Sequence, residues 1–173
     1  MPMHSDGMEP SRILLSRALH AALAILLLTA VHHAYGAYAY DTPWRLHVVI
    51  VAGVTALLLW GAVHVLRRRP AGVAHTAAWA VFCLLDLLLP VAGIGLFEGG
   101  YNHALKNALY FGGASAPLLA RLFPPPMYEL PGDGFFETTG VLQLVLGVVA
   151  ACRLYRLVRH GRHARARSRA GQA

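Results

Sequence analysis

The sequence predicts an all-α integral membrane protein in which four transmembrane helices form a bundle. Three observations support this fold class. Of the 173 residues, 57% are hydrophobic and only 13% are charged, whereas about a quarter of the residues in soluble domains are charged. Four stretches are apolar over the roughly 20 residues that a helix needs to cross a bilayer. The basic residues gather on one side of the membrane that these stretches define.

The four predicted spans set the domain organisation. Their approximate limits are residues 13–31, 46–66, 73–97 and 138–158. Together they make up a transmembrane domain of residues 12–158, flanked by an amino-terminal tail of residues 1–11 and a basic tail of residues 159–173. Residues 98–137 connect the last two spans, and we expect this long outer loop to form a cap with one or two short interfacial helices.

The distribution of Arg and Lys predicts the orientation. The side that carries both termini also carries twelve basic residues: Arg12, Arg17, Arg67, Arg68, Arg69, Arg153, Arg156, Arg159, Arg162, Arg165, Arg167 and Arg169. The other side carries three: Arg45, Lys106 and Arg121. Lys and Arg favour the cytoplasmic side, so we expect a multi-pass protein with both termini in the cytoplasm. The composition, rich in Ala and Arg, suggests a bacterial inner membrane.

The net charge of +7 does not predict binding to nucleic acid. The basic residues border the predicted spans, where they anchor the topology near anionic lipid, so the lipid bilayer is the expected partner. One alternative concerns the first span. The sequence AYA at Ala37–Ala39 resembles a signal-peptidase site, and cleavage there, which would leave three spans, stays open.

Polar side chains gather where the third span reaches the outer side, in the sequence FEGGYNHALKN of residues 97–107. The candidate ligand site comprises these residues and the end of the first span: His32, His33, Glu98, Asn102, His103 and Lys106. Imidazoles and carboxylates bind zinc, iron and copper, so His33, Glu98 and His103 are the predicted metal ligands. Lys106 and Asn102 are suited instead to a lipid-like or anionic ligand. The sequence contains no HExxH motif, so the reaction type, if there is a reaction, stays open.

The spacing of Glu98 and His103 sets a geometric condition on this site. They are five residues apart, so in one α-helix their side chains would point about 140° apart and would not share a ligand. Gly99 and Gly100 lie between them, and glycine permits sharp turns. We therefore expect the third span to end at about Glu98, the chain to bend at the two glycines, and a surface helix to begin near Tyr101.

Two polar residues, Asp86 and Gln143, are predicted to lie inside the membrane. A charged residue near the middle of a span costs about 2.5–3.5 kcal/mol, so a small proton-coupled carrier that uses Asp86 is one alternative function. Gln143 shares a face of the fourth span with small residues: Gly140, Gly147, Ala150 and Ala151. Because small residues permit close helix packing, the other alternative is a non-catalytic accessory or assembly subunit, or a homo-oligomer, that uses this face.

Overall fold

The computed structural model describes residues 8–125 and 128–170, and the regular elements within them are helices. Four of these helices are long and apolar enough to cross a membrane. The predicted all-helical class and the number of candidate spans are therefore confirmed. Residues 1–7 of the predicted amino-terminal tail and residues 171–173 of the predicted basic tail lie outside the described residues.

The helices run further than the predicted spans. The four long ones are α1 (Met8–Ala39), α2 (Leu46–Arg68), α3 (Val73–Phe111) and α5 (Gly134–Ala170), and a short helix, α4 (Ala116–Leu122), lies between the last two. A 3₁₀ turn, Pro43–Arg45, leads into α2. Helix α2 ends where Arg69 becomes extended, with φ −119° and ψ 95°, because the following Pro70 disfavours helical backbone in the residue before it.

The predicted bend at Gly99 and Gly100 is wrong, because α3 continues through both glycines to Phe111. This helix changes geometry along its length. It is α-helical over Val73–Asp86, π-helical over Leu87–Leu105 and α-helical again over Lys106–Phe111. The predicted outer cap of residues 98–137 is accordingly shorter, and the connection between the long helices comprises residues 112–133.

The change from α-helical to π-helical turns occurs around Pro90. Proline has no backbone N–H, and its ring clashes with the carbonyl four residues earlier, which belongs to Asp86. The π-helical part begins directly after Asp86. Wide π turns are rare and are frequently found at functional sites, which draws attention to the residues that this part of α3 carries.

Helix α5 lies against α1 and, most extensively, against the π-helical part of α3, while α2 packs against α1 and α3. The contact between α3 and α5 depends on glycine. A Cβ atom added at Gly95 would lie 2.6 Å from the Cα atom of Gly147, and one added at Gly99 would overlap the backbone of Leu144. Gln143 and Ala150 are fully buried in this contact region. The small-residue face of the fourth span therefore packs against α3 within the same chain.

Candidate metal site

A polar cluster, buried except for the partly exposed Glu98, lies where α1 ends, α3 approaches its end and α5 begins. The members contributed by these helices are His32 on α1, Glu98, Asn102, His103 and Lys106 on α3, and Glu137 and Thr139 on α5. Five of the six predicted site residues are in this cluster. The sixth predicted residue is His33.

Two imidazole rings and one carboxylate converge on one point. The Nε2 atom of His32 lies 3.8 Å from Oε1 of Glu98, and the Nε2 atom of His103 lies 3.7 Å from the same oxygen. The three potential ligand atoms all lie within 4.8 Å of one another. Glu98 and His103 share this point although the chain does not bend. A π-helical turn closes on the fifth residue, so residues five apart lie on one side of the helix.

The opposite nitrogen of each ring is held by α5. Nδ1 of His32 lies 2.9 Å from the Thr139 hydroxyl, and Nδ1 of His103 lies 2.9 Å from Oε2 of Glu137. The Thr139 hydroxyl donates its own hydrogen to the backbone carbonyl of Phe135 at 2.8 Å, so it accepts from His32. The Glu137 carboxylate likewise accepts from His103. When neutral, each ring therefore carries its hydrogen on Nδ1 and leaves the electron pair of Nε2 on the side of Glu98.

Packing fixes the planes of the two rings. Phe136 stacks on His32 with ring centroids 4.1 Å apart, and it meets His103 edge-on at 5.1 Å. The His103 ring also lies directly against Gly140, where any Cβ atom would overlap it. Gly140 is thus required by the position of His103, in addition to the close approach of the helices.

The remaining polar groups hold the carboxylates. Asn102 Nδ2 donates to Oε2 of Glu98 at 2.7 Å. Lys106 Nζ donates to Oε1 of Glu137 at 3.1 Å and to the backbone carbonyl of Glu129 at 2.7 Å, and its side chain is 2% exposed. Arg45 is buried and donates to the carboxylate of Glu129 at 2.6 Å. The donors predicted to hold an anionic ligand are therefore engaged with groups of the protein.

His33 differs from its neighbour. The ligand group found among the described residues comprises His32, Glu98 and His103, whereas the predicted metal ligands are His33, Glu98 and His103. The reason is that consecutive residues of an α-helix point about 100° apart, and it is His32 that faces Glu98. The centroid of the His33 ring lies 5.2 Å from that of His32, and its Nδ1 atom is buried with no hydrogen-bond partner within the described residues.

Glu137 and Thr139 belong to the site in addition to the residues predicted from the sequence. Both lie in the first turns of α5, and Glu137, Gly140 and Gln143 recur at three-residue steps that place them on one face of the helix. That periodicity, together with an acid at the predicted outer end of a span, was the available signal. Asp133 caps the same helix by accepting from the Phe136 N–H at 2.9 Å and from the Tyr35 hydroxyl at 2.6 Å. The Tyr35 hydrogen bond holds the pKa of the Asp133 carboxyl below its usual range.

Asp86 is also on α3 and is fully buried, but it lies in an earlier part of this helix than Glu98 and His103. Neither of its carboxylate oxygens has a hydrogen-bond partner in the part of the chain that the structure describes. Gln143 is also fully buried, and its Oε1 atom accepts from the Thr29 hydroxyl at 3.4 Å. The two polar residues predicted to lie inside the membrane are thus buried inside the protein.

Fold and site together define a helical protein with four candidate membrane spans and a buried group of two histidines and one glutamate. No family model matches the chain, and neither a curated protein nor a solved structure matches it.

Proposed function

We propose that this chain is a multi-pass protein of a bacterial inner membrane that binds a transition-metal ion near its outer face through His32, Glu98 and His103. The observation that carries the proposal is the convergence of three potential ligand atoms. The Nε2 atoms of both rings and Oε1 of Glu98 face one another, and Nε2 of His32 is buried with no hydrogen-bond partner among the described residues. A cation between these atoms would supply the partner that the buried Nε2 of His32 lacks.

The ligand chemistry favours zinc, iron or copper. Imidazole nitrogen suits all three ions, and two histidines with one carboxylate leave coordination positions open for water or a further ligand. The hydrogen bonds from His103 to Glu137 and from His32 to Thr139 are the kind of contact that orients metal-binding rings. Glu98 is 20% exposed, so an ion has a route to the site beside its carboxylate.

The local charge balance also supports a cation. Glu98 and Glu137 carry negative charges, and Lys106 supplies one compensating positive charge beside Glu137. Arg45 and Glu129 neutralise each other. With neutral imidazoles, one excess negative charge remains in the cluster, and burial of an unpaired charge is costly.

The proposed orientation places both termini in the cytoplasm and the metal site outside. Three basic residues lie on the proposed outer side, and two of them, Arg45 and Lys106, are buried in ion pairs. Their charges are therefore already compensated within the protein. The exposed arginines at the opposite ends of the helices supply the positive charge that favours the cytoplasmic side. In this arrangement the four helices form a bundle that traverses the membrane.

Elemental analysis tests the proposal. Protein purified without chelator, or loaded separately with zinc, iron(II) and copper, is expected to hold about one ion per chain for at least one metal. His32→Ala, Glu98→Gln and His103→Ala should each lower the occupancy at least about tenfold. His47→Ala is the matched control, because His47 is an exposed histidine at the same end, with its ring against the carbonyl of Trp44. Circular dichroism checks that each variant keeps its helices.

Two results would contradict the proposal. One is full metal occupancy in the His32→Ala/His103→Ala double variant. The other is failure of the wild-type protein to bind any of the three metals. The anionic-ligand alternative is less well supported, because the ammonium of Lys106 is held by Glu137 and Glu129. A partner subunit that bound the small-residue face of α5 would have to displace α3, so an accessory subunit would have to use another surface.

A second candidate function rests on Asp86. A buried carboxylate with no hydrogen-bond partner among the described residues is by default a candidate for proton or ion transfer within a membrane. If Asp86 transfers protons, Asp86→Asn should abolish a pH-driven flux in proteoliposomes while the metal occupancy stays unchanged. An Asp86→Asn protein with undiminished flux, or a wild-type protein without flux, would exclude the carrier.

A further inference from the structure

A second site lies at the opposite ends of the same helices. A half-open cavity of about 540 Å³ is enclosed by residues from the start of α1, the end of α2, the start of α3 and the cytoplasmic half of α5. Its walls are apolar and include Leu15, Leu66 and Trp79. The indole of Trp79 reaches from α3 toward α5, where a Cβ atom added at Gly161 would lie 3.7 Å from the ring.

The rim of this cavity is basic. Arg12, Arg67 and Arg162 come from three different helices and line the opening, and all three are exposed. His75 and His160 are half-buried beside them. The described residues that line the cavity include no Asp or Glu, so the arginines have no carboxylate to neutralise them within the lining.

We propose that this cavity binds the phosphate headgroup of an anionic phospholipid, with the glycerol and the first acyl carbons against the apolar wall. Guanidinium groups match phosphate geometry by donating two parallel hydrogen bonds. A basic cluster next to a span attracts anionic lipid, and a tryptophan ring is suited to the headgroup level of a bilayer. A soluble phosphate ester shares the phosphate chemistry but has no acyl chain to cover Leu15 and Leu66.

This inference is independent of the proposed metal function. The cavity and the His/Glu cluster are built from opposite ends of the long helices and share no residue. The headgroup site can therefore fail while the metal site stands, and the reverse also holds.

Fluorescence quenching of Trp79 is the test. In a background with Trp44→Phe and Trp60→Phe, Trp79 is the only tryptophan. The protein is reconstituted in phosphatidylcholine that contains either brominated phosphatidylglycerol or brominated phosphatidylcholine at equal mole fraction. We expect the anionic lipid to quench more strongly, and Arg67→Gln and Arg162→Gln each to reduce the preference about fivefold. Arg68→Gln, an exposed arginine at the same helix end that does not line the cavity, should keep the preference.

Further outcomes decide against the proposal. Equal quenching by the two lipids, or equal losses in Arg67→Gln and Arg68→Gln, would show that no specific headgroup site exists. If inorganic phosphate alone protected Trp79 from an aqueous quencher and removed the lipid preference, the ligand would be a soluble phosphate, and the lipid assignment would be wrong.

Discussion

The two ends of the molecule use polar residues in opposite ways. At the proposed outer end, the polar side chains are buried, and most are fixed by named partners. Potential ligand atoms of three of them, His32, Glu98 and His103, lie close together. At the proposed cytoplasmic end, three exposed arginines line the opening of an apolar cavity. The comparison teaches that the arrangement of partners, and not the number of polar residues, distinguishes the cation proposed for one end from the anion proposed for the other.

The largest effect is expected when the buried charge balance of the outer end is broken. Lys106→Met leaves the Glu137 carboxylate without its ammonium partner and should lower the free energy of unfolding by about 3–5 kcal/mol. The measurement is reversible unfolding in mixed detergent micelles. Arg121→Met, which removes an exposed cation at the same end, is the control and should change it by less than about 0.5 kcal/mol.

A double variant sharpens this prediction. Lys106→Met with Glu137→Leu removes both partners, so it should recover most of the stability. The same variant should bind metal weakly, because His103 has lost the carboxylate that orients its ring. A double variant that recovered no stability, or that bound metal as tightly as the wild type, would contradict the assigned pairing. So would a loss of stability in Arg121→Met equal to that in Lys106→Met.

A smaller loss of stability is expected from a substitution at Gly140. A methyl group there overlaps the His103 ring, so Gly140→Ala should destabilise the protein by about 1–3 kcal/mol and displace a metal ligand. Gly61→Ala is matched to it, since a Cβ atom at Gly61 meets nothing within 4 Å. Metal titration and thermal unfolding report the two effects. Equal metal affinity in the two alanine variants would show that His103 is not held where the structure places it.

Thr139 tests the orientation of the His32 ring. Thr139→Val removes the hydroxyl that accepts from Nδ1, and we expect the metal affinity to fall about tenfold. Thr139→Ser keeps the hydroxyl and should retain nearly all of the affinity. Isothermal titration with zinc distinguishes the two variants, and a similar loss in both would mean that the side chain contributes through packing alone.

The smallest change in stability is expected when the hydrogen bond from Tyr35 to Asp133, at the start of α5, is removed. The depressed pKa of Asp133 means that its carboxylate stabilises the folded state above the usual Asp pKa of about 3.9, and that this contribution is lost as the pH falls through the lower folded value. Tyr35→Phe should therefore reduce the melting temperature slightly at pH 7 and by less at pH 2, where more of the Asp133 carboxyl is protonated. An equal reduction at both pH values would assign the effect to packing of the ring.

The sequence predicted the parts of this fold that depend on composition. Long apolar runs were sufficient to predict four candidate spans. The predicted start of the second span coincides with the start of α2 at Leu46. The path of α3 was not predictable in this way. The wide turns after Pro90 bring Glu98 and His103 together, whereas an α-helical repeat separates them. No local pattern distinguishes nineteen residues of π-helix from an α-helix.

The candidate site was predictable only where its residues are close together in the sequence. Glu98, Asn102, His103 and Lys106 are close in sequence, so their polarity was evident as a cluster. The choice between His32 and His33 depends on the rotation of α1 about its axis, which tertiary packing determines. The roles of Glu137 and Thr139 depend on contacts between α5 and residues more than 30 positions away. Partners this far apart in the sequence cannot be recognised from one sequence before its fold is known.

X-ray absorption spectroscopy of the zinc-loaded protein tests the central claim most directly, because it reports the atoms bound to the ion. We expect a first shell containing two imidazole nitrogens at about 2.0–2.1 Å and carboxylate oxygen at about 2.0–2.2 Å. The imidazole scattering should fall by half in His32→Ala and stay unchanged in His33→Ala. A shell of oxygen atoms without imidazole, or a spectrum that changes in His33→Ala and not in His32→Ala, would contradict the account.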